Sequence, residues 1–168
     1  DIYDVPVYEA PVGFKHICPL MIEKKAIIGG EESGGYGFGG HIPERDGILS
    51  AAFFLDMMCK TGKSVSELVD YLYEKVGPHH YKRLDLEFPK NKRKDIEQCV
   101  AEVNYKSLAG MKIISLDLSE GLRITFEKNQ WLVIRFSGTE PLLRIYAEAE
   151  SVEKVDRLLS DAQAIVGI

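Results

Sequence analysis

The sequence lacks the signals that mark membrane proteins, nucleic-acid-binding proteins and secreted precursors. Its longest apolar stretch is interrupted by charge well short of the roughly 18 residues that cross a membrane, so no span is expected. Basic residues are outnumbered, with a net charge of −5, which disfavours a nucleic-acid partner because phosphate backbones require a basic face. The first residues, DIYDVPVYEAP, have neither the basic start nor the apolar segment of a signal peptide.

Cysteine is scarce and lacks the spacing that chemistry with thiols requires. Cys18, Cys59 and Cys99 are odd in number and form no CxxC pair, so neither a zinc site nor a disulfide framework is indicated. Free thiols in a composition of 45% hydrophobic and 28% charged residues predict a cytoplasmic globular protein. The chain also begins without Met, on what reads as an interior segment, and we therefore expect a fragment.

Two domains are predicted, residues 1–78 and 79–168, separated near the segment GPHHYK. The first mixes strand and helix. A short strand, AIIGG, precedes a glycine-rich loop, and an apolar helix at 44–60 is expected to be buried in a core. Ser64 and Glu67 have the spacing of a capping box and begin a further helix, whose apolar stripe is expected to face the same core.

The second domain has an α+β pattern. A helix with Asn91 as its candidate N-cap is followed by four alternating segments, MKIISLDLS, LRITFEK, WLVIRFS and LLRIYAEAE. Ser151 is placed to cap a closing helix. We therefore predict an antiparallel sheet with two helices.

The loop IIGGEESGGYGFGGHIPERDG, residues 27–47, contains a GxGxxG pattern. A dinucleotide site requires a helix to begin inside that motif, and Pro43 stands where the helix should already be running. A polyol site suits the loop better, because Glu31 and Ser33 offer the acceptors and donor that vicinal sugar hydroxyls need. A solvent-exposed turn with incidental acids is the alternative, and the residues alone leave both open.

A second loop, IRFSGTEPLLRIY, residues 134–146, has the composition of a phosphate site. Arg135 can grip a phosphate with two parallel hydrogen bonds. Ser137 and Thr139 offer hydroxyls, and Gly138 permits a turn in which successive amides face an anion. Arg144 lies further along the returning strand. A plain turn is the alternative, but these residue types together favour phosphate.

Taken together, GEESGG and RFSGTEPLLR resemble the two ligand loops of the α-D-phosphohexomutases, the phosphoglucomutase and phosphomannomutase enzymes. VGFKHI and GHIPERDGI also resemble segments of that family. The resemblance implies four domains around one cleft, with a phosphoserine loop, a Mg²⁺ loop, a sugar loop and a phosphate loop in successive domains. It implies an α/β third domain, here partial, followed by a TBP-like α+β fourth domain.

The resemblance also assigns roles to residues. Glu31 and Ser33 match the positions that hold sugar hydroxyls, and Lys15 matches a basic position near the sugar. The phosphate loop is matched by Arg135, Ser137, Gly138 and Thr139, with Arg144 expected beside them. Arg45 follows the sugar loop and is expected to contact its backbone.

Two parts of the family's machinery are absent from the sequence, a phosphoserine loop and a run of alternating aspartates. The resemblance implies that the N-terminal domains of the same enzyme supply both, together with Mg²⁺. The parent would interconvert hexose 1-phosphate and hexose 6-phosphate, of glucose or mannose, and this chain alone would be inactive. The alternatives are a stand-alone sugar-phosphate-binding module and a structural domain in which both loops are only turns.

Overall fold

The structure is a computed structural model that describes residues 3–138 and 140–167, with only the backbone of Lys90. The chain divides into two compact units, residues up to Val69 and residues from Asp70 onward. Residues 77–79 have no regular structure, and the domain boundary predicted there stays a prediction. None of the helices in the described ranges has the length and apolar character that a membrane crossing needs.

The first unit consists of helices and one small hairpin. Its elements are α1 (Phe14–Lys24), β1 (Ile28–Gly30), β2 (Tyr36–Phe38), α2 (Gly47–Thr61) and the start of α3 (Val65–Val76). The two strands pair antiparallel, with Gly29 opposite Gly37. A Cβ at Gly37 would lie 3.2 Å from the ring of Phe14, so the missing side chain lets α1 approach the hairpin closely.

Helix α2 was expected to be buried, and that expectation is wrong. Asp46 caps the helix by accepting the Leu49 N–H at 2.9 Å, and Gly62 ends it with a φ of 67°. None of the side chains of α2 is buried. Its apolar composition shows what the helix can cover, whereas the described part of this unit offers only a sheet of two three-residue strands.

Helix α3 shows the same contrast between local and tertiary prediction. The capping box is confirmed, since the Ser64 N–H donates to Glu67 Oε2 at 2.7 Å and the Glu67 N–H donates to Ser64 Oγ at 3.4 Å. Of the predicted core-facing stripe only Leu68 is buried, and the rest of it is about half exposed or, at Tyr73, partly covered. Capping is decided within one turn of helix, but burial requires a partner layer.

The second unit is one antiparallel sheet with two helices, as predicted. Its elements are β3 (His80–Glu87), α4 (Arg93–Ala101), β4 (Ser107–Leu108), β5 (Met111–Asp117), β6 (Leu122–Phe126), β7 (Trp131–Phe136), β8 (Leu142–Ala149) and α5 (Val152–Val166). The strand order is β3-β8-β7-β6-β5-β4. Asn91 is not the cap of α4, because it lies within a 3₁₀ turn and Lys92 occupies the N-cap position without a side-chain hydrogen bond.

Alternation along the strands separates the two faces of this sheet. One face packs on the two helices, and its centre includes Leu132, Ile134 and Ile145, each at most 1% exposed. Burial of each such side chain contributes roughly 1.5 to 3 kcal/mol. Intervening residues point to the opposite side, which we call the open face. Its residues on the three strands nearest the β3 edge are Tyr81, Arg83, Asp85, Trp131, Val133, Arg135, Arg144, Tyr146 and Glu148.

The junction between β8 and α5 carries a carboxylate with a strongly shifted pKa. Ser151 caps α5 as predicted, accepting the Lys154 N–H at 3.3 Å. The ammonium groups of Lys154 and Lys128 donate to Glu150 and lower the pKa of its carboxyl from 4.5 to about 2. A lowered pKa in the folded state favours folding above pH 4.5, and this contribution is lost as the pH falls toward 2.

We therefore expect Glu150→Gln to flatten the pH dependence of stability between pH 4.5 and about 2. The side chain is 35% exposed, so solvent screening keeps the effect small. Urea midpoints, followed through the fluorescence of the single tryptophan, provide the measurement. Parallel curves for the wild type and the variant across this range would contradict the assignment.

Candidate functional site

The glycine loop forms the tip of the β1–β2 hairpin. Glu31 follows directly on β1, and its carbonyl accepts the Gly34 N–H at 3.0 Å, closing a four-residue turn. Gly34 has a φ of 85°, a left-handed conformation that glycine adopts without steric cost. Ser33 is exposed, and the Glu31 side chain is 15% exposed. A hydroxyl and a carboxylate are thus presented two residues apart on one tight turn.

Arg45 contacts this turn through its side chain. Its Nη1 lies 3.4 Å from Glu31 Oε2, and its guanidinium lies 5.5 Å from the centre of the Phe14 ring. A Cβ at Gly35 would come within 2.6 Å of the Arg45 stem, so the missing side chain is needed for this packing. The expected backbone contact is therefore a contact with the carboxylate of Glu31 and with the glycine beside it.

The segment before α2 adds further charge near Arg45. Glu44 Oε1 accepts the backbone N–H of Arg45 at 2.8 Å and its Nε at 3.2 Å, and these bonds hold the pKa of the Glu44 carboxyl below its usual value. His41 Nε2 lies 2.9 Å from Asp46 Oδ2. Because α2 begins at Gly47, no helix N-terminus lies within the GxGxxG pattern.

Lys15 lies in the first turn of α1, beside Phe14, and is exposed. Among the described residues it makes no ion pair and no side-chain hydrogen bond. The structure brings Glu31, Ser33 and Arg45 together on one side of the hairpin, and it leaves Lys15 as an unpaired cation on the same unit.

The second loop connects β7 to β8. The Ser137 N–H donates to the Leu142 carbonyl at 2.8 Å, and Ser137 is only 3% exposed. Gly138 is exposed, does not have a positive φ, and would have nothing within 4 Å of an added Cβ. The predicted role of Gly138 therefore rests on its small size, because its backbone conformation does not require glycine. Thr139 lies outside the described residues.

Arg135 and Arg144 lie directly opposite each other on β7 and β8. Such a cross-strand pair has Cβ atoms about 4.5 to 5.5 Å apart, and like charges there are unfavourable. Among the described residues Arg135 makes no ion pair and no side-chain hydrogen bond. Arg144 is 25% exposed on its side chain, and its Nε is buried without a hydrogen-bond partner.

Two carboxylates lie near Arg144, but neither reaches hydrogen-bond distance. Asp85 Oδ2 is 4.0 Å from Arg144 Nε, and Glu140 Oε2 is 3.7 Å from Arg144 Nη2. Asp85 reads in the sequence as an isolated acid on a strand. Its place beside Arg144 comes from the pairing of β3 with β8, two strands that lie far apart along the chain.

This arrangement is suited to an anion with several acceptor oxygens. A phosphate held by both guanidinium groups would relieve their mutual repulsion and satisfy the unpaired Nε of Arg144, and charge-assisted hydrogen bonds of this kind are about twice as strong as neutral ones. The contacts of Arg135 and Arg144 point to the same ligand class as the residue types of the loop.

The described residues contain no group of three or more His, Cys, Asp or Glu side chains that could hold a metal ion. The three cysteines are free, with Cys59 and Cys99 exposed and Cys18 directed at the Pro43 carbonyl. No step through a metal is derived from these residues.

Comparisons with known proteins identify both units. Residues 2–76 match the model of the phosphoglucomutase/phosphomannomutase alpha/beta/alpha domain III. Residues 89–164 match the model of the phosphoglucomutase/phosphomannomutase C-terminal domain. The two matches follow one another in the order in which the family arranges these domains.

Individual relatives agree with these matches. A phosphoglucomutase/phosphomannomutase of Thermococcus kodakarensis is 35% identical over 153 residues, covering 91% of this chain and 31% of the relative. A phosphoglucosamine/phosphogalactosamine mutase of Sulfurisphaera tokodaii is 32% identical over 167 residues, covering 98% and 34%. The crystal structure of a protein from Thermus thermophilus, assigned as a phosphomannomutase, superposes with a TM-score of 0.72 at 34% identity, covering 94% and 30%.

The chain spans about a third of the length of the curated relatives it matches. Both loops fall inside the matched segments, and the antiparallel sheet that carries Arg135 and Arg144 is the part matched to the C-terminal domain. The chain belongs to the phosphoglucomutase/phosphomannomutase family.

Proposed function

We propose that this chain carries substrate-recognition surfaces of a phosphohexomutase, an enzyme that interconverts hexose 1-phosphate and hexose 6-phosphate through a phosphoserine. In the first unit, Glu31 and Ser33 bind sugar hydroxyls. In the second, a group that we call the phosphate cradle binds the phosphate that is not transferred. The cradle consists of Arg135, Ser137, Gly138, Thr139 and Arg144.

The observation that carries the proposal is the unpaired charge of the cradle. Two arginines face each other across neighbouring strands, one has no partner among the described residues, and the other has a buried Nε without an acceptor. A purely structural loop gains nothing from this arrangement, because unpaired buried donors and adjacent like charges both cost free energy. A bound phosphate removes both costs.

The sugar surface supports a polyol ligand less strongly. Glu31 keeps most of its acceptor capacity, since its one ion pair, to Arg45, is long at 3.4 Å, and a carboxylate has about four lone-pair sites. Ser33 is exposed beside it. The printed names of the relatives differ in the sugar, and phosphate is the feature that they share. We therefore propose a hexose phosphate, of glucose or mannose, as the ligand.

The remaining parts of the proposal rest on the family resemblance. The nucleophilic serine and Mg²⁺ would be supplied by the enzyme's N-terminal domains, with the ion carrying charge that develops on the transferred phosphoryl group. Within this chain, the residues bind and orient the substrate. We also propose a cytoplasmic protein without a nucleic-acid partner, on the basis of the free cysteines and the acidic net charge.

Calorimetric titration of the chain with inorganic phosphate and with glucose 1-phosphate tests the proposal. We expect weak binding of both, around the millimolar range typical of a few contacts, and no conversion of glucose 1-phosphate in the presence of Mg²⁺. Binding in the micromolar range would favour a stand-alone binding module. Absence of binding would overturn the cradle, and conversion would show that the chain holds its own nucleophile.

A further inference from the structure

A second pair of residues on the open face controls how Arg144 is presented, if the cradle binds phosphate as proposed. Asp85 lies opposite Arg144, and Arg144 lies opposite Arg135, so the three side chains form one row across β3, β8 and β7. Arg83 lies two residues before Asp85 and therefore on the same face. The row consists of one carboxylate and two arginines, with a third arginine beside the carboxylate.

The carboxylate is turned toward Arg83 and away from Arg144. Arg83 Nε donates to Asp85 Oδ1 at 2.7 Å and Arg83 Nη2 donates to Asp85 Oδ2 at 2.6 Å. Both oxygens are thus held in the two-pronged geometry that makes Arg–carboxylate pairs strong and directional. Asp85 Oδ2 remains 4.0 Å from Arg144 Nε, too far for a hydrogen bond.

Arg83 is itself held in place by the sheet. It lies opposite Tyr146 on β8, and its guanidinium lies 5.7 Å from the centre of the Tyr146 ring. A planar guanidinium over an aromatic ring is attracted by the ring's π electrons. Tyr146 is only 8% exposed, so it offers a fixed surface. Arg83 is therefore positioned independently of Arg144.

We infer that Arg83 is a positioning residue of the phosphate cradle, which keeps the Arg144 Nε–H available to phosphate by holding Asp85 away from it. The distance that Asp85 would have to close is short, about one ångström beyond hydrogen-bond length. Once released, the carboxylate would pair with Arg144 and neutralise its charge. Asp85 would then compete with phosphate for the same donor.

The inference predicts an unusual pattern of substitutions. Arg83→Met, which keeps an unbranched apolar stem against Tyr146, should lower the affinity for inorganic phosphate by roughly fivefold or more, because an ion pair now occupies Arg144. Adding Asp85→Asn to that variant should restore the affinity, since the competing charge is gone. Neither a direct contact of Arg83 with phosphate nor a purely structural role predicts this recovery.

A matched control is available on the same face. Arg123 lies on β6, opposite Val133, so Arg123→Met removes one positive charge from the open face and leaves the Arg83–Asp85 pair intact. We expect only the small loss that follows from the change in net charge. A loss as large as that of Arg83→Met would show that general charge, and not the position of Asp85, determines the affinity.

The experiment is a titration of the full chain and these variants with inorganic phosphate, followed through the side-chain Nε–H resonances of arginine in ¹⁵N-labelled protein. We expect the Arg144 resonance to move with phosphate in the wild type and in the Arg83→Met, Asp85→Asn double variant, and to respond much less in Arg83→Met alone. A crystal structure of Arg83→Met should show Asp85 within hydrogen-bond distance of Arg144 Nε.

The possible failures can be told apart. A wild-type chain whose arginine resonances ignore phosphate would overturn the cradle and this inference with it. A wild type that binds phosphate, combined with an Arg83→Met variant that binds equally well or is not rescued by Asp85→Asn, would overturn the role of Arg83 alone. An Asp85 that stays apart from Arg144 in the Arg83→Met structure would do the same.

Discussion

Arg135→Ala is expected to lower the affinity of the chain for inorganic phosphate by roughly 10- to 150-fold, the equivalent of about 1.5 to 3 kcal/mol for a charge-assisted contact. The expectation is large because Arg135 has no competing partner among the described residues. Its interaction with an anion is therefore not offset by the loss of an internal ion pair. Calorimetric titration of the wild type and variant measures the difference.

The fold should tolerate this substitution. Arg135 is on the open face, and its removal also relieves the repulsion with Arg144 opposite. We therefore expect a urea midpoint equal to or slightly above that of the wild type. A variant that loses binding while keeping its stability identifies a residue used for the ligand, because a residue needed for packing would lose both.

Two further variants separate geometry from charge. Arg135→Lys keeps the charge but loses the planar fork, and should bind phosphate with intermediate affinity. Arg157→Ala makes the same change in net charge on α5, which packs against the other face of the sheet, and should bind as the wild type does. Equal affinities for the wild type and Arg135→Ala would remove Arg135 from the proposed site.

Features decided within a few residues were predicted well from the sequence. Ser64 with Glu67, and Ser151, cap their helices as expected, because capping involves only one turn of backbone. The four strands β5 to β8 were found because alternation is a local pattern. The two ligand loops were located for the same reason, since their residue types cluster within a few positions.

Features that depend on distant parts of the chain were not predictable in this way. The apolar sides of α2 predicted burial, but the described part of the first unit has no layer to cover them. The neighbours of Arg144 were missed because β3 and β8 are adjacent in the sheet and far apart in the sequence. Periodicity gave Asp85 a face of its strand, but only the register shows which side chain it faces.

Gly121→Ala is expected to destabilise the second unit by roughly 2 to 4 kcal/mol, through backbone strain and a steric collision. Gly121 has a φ of 105°, where a side chain is strained, and an added Cβ would collide with the Ile134 carbonyl and lie 3.2 Å from Arg135 Cα. These neighbours are backbone atoms of β7 that cannot rotate away. Urea denaturation followed by Trp131 fluorescence reports on the same strand.

Gly138→Ala is the matched control, because it adds the same methyl group in the same unit. Gly138 does not have a positive φ and has nothing within 4 Å of an added Cβ, so its stability should stay within about 0.5 kcal/mol of the wild type. Equal urea midpoints for Gly121→Ala and Gly138→Ala would show that the close approach at Gly121 is not required by the fold.

The two glycines should also differ in their effect on ligand binding. If Gly138 is small because phosphate approaches the loop there, Gly138→Ala should bind phosphate more weakly while remaining as stable as the wild type. Gly121 has a different reason to be glycine, since it lets β7 bring Arg135 to its position opposite Arg144. Gly121→Ala should therefore lower both stability and affinity, and a variant that lost stability alone would separate the packing of β7 from the geometry of the cradle.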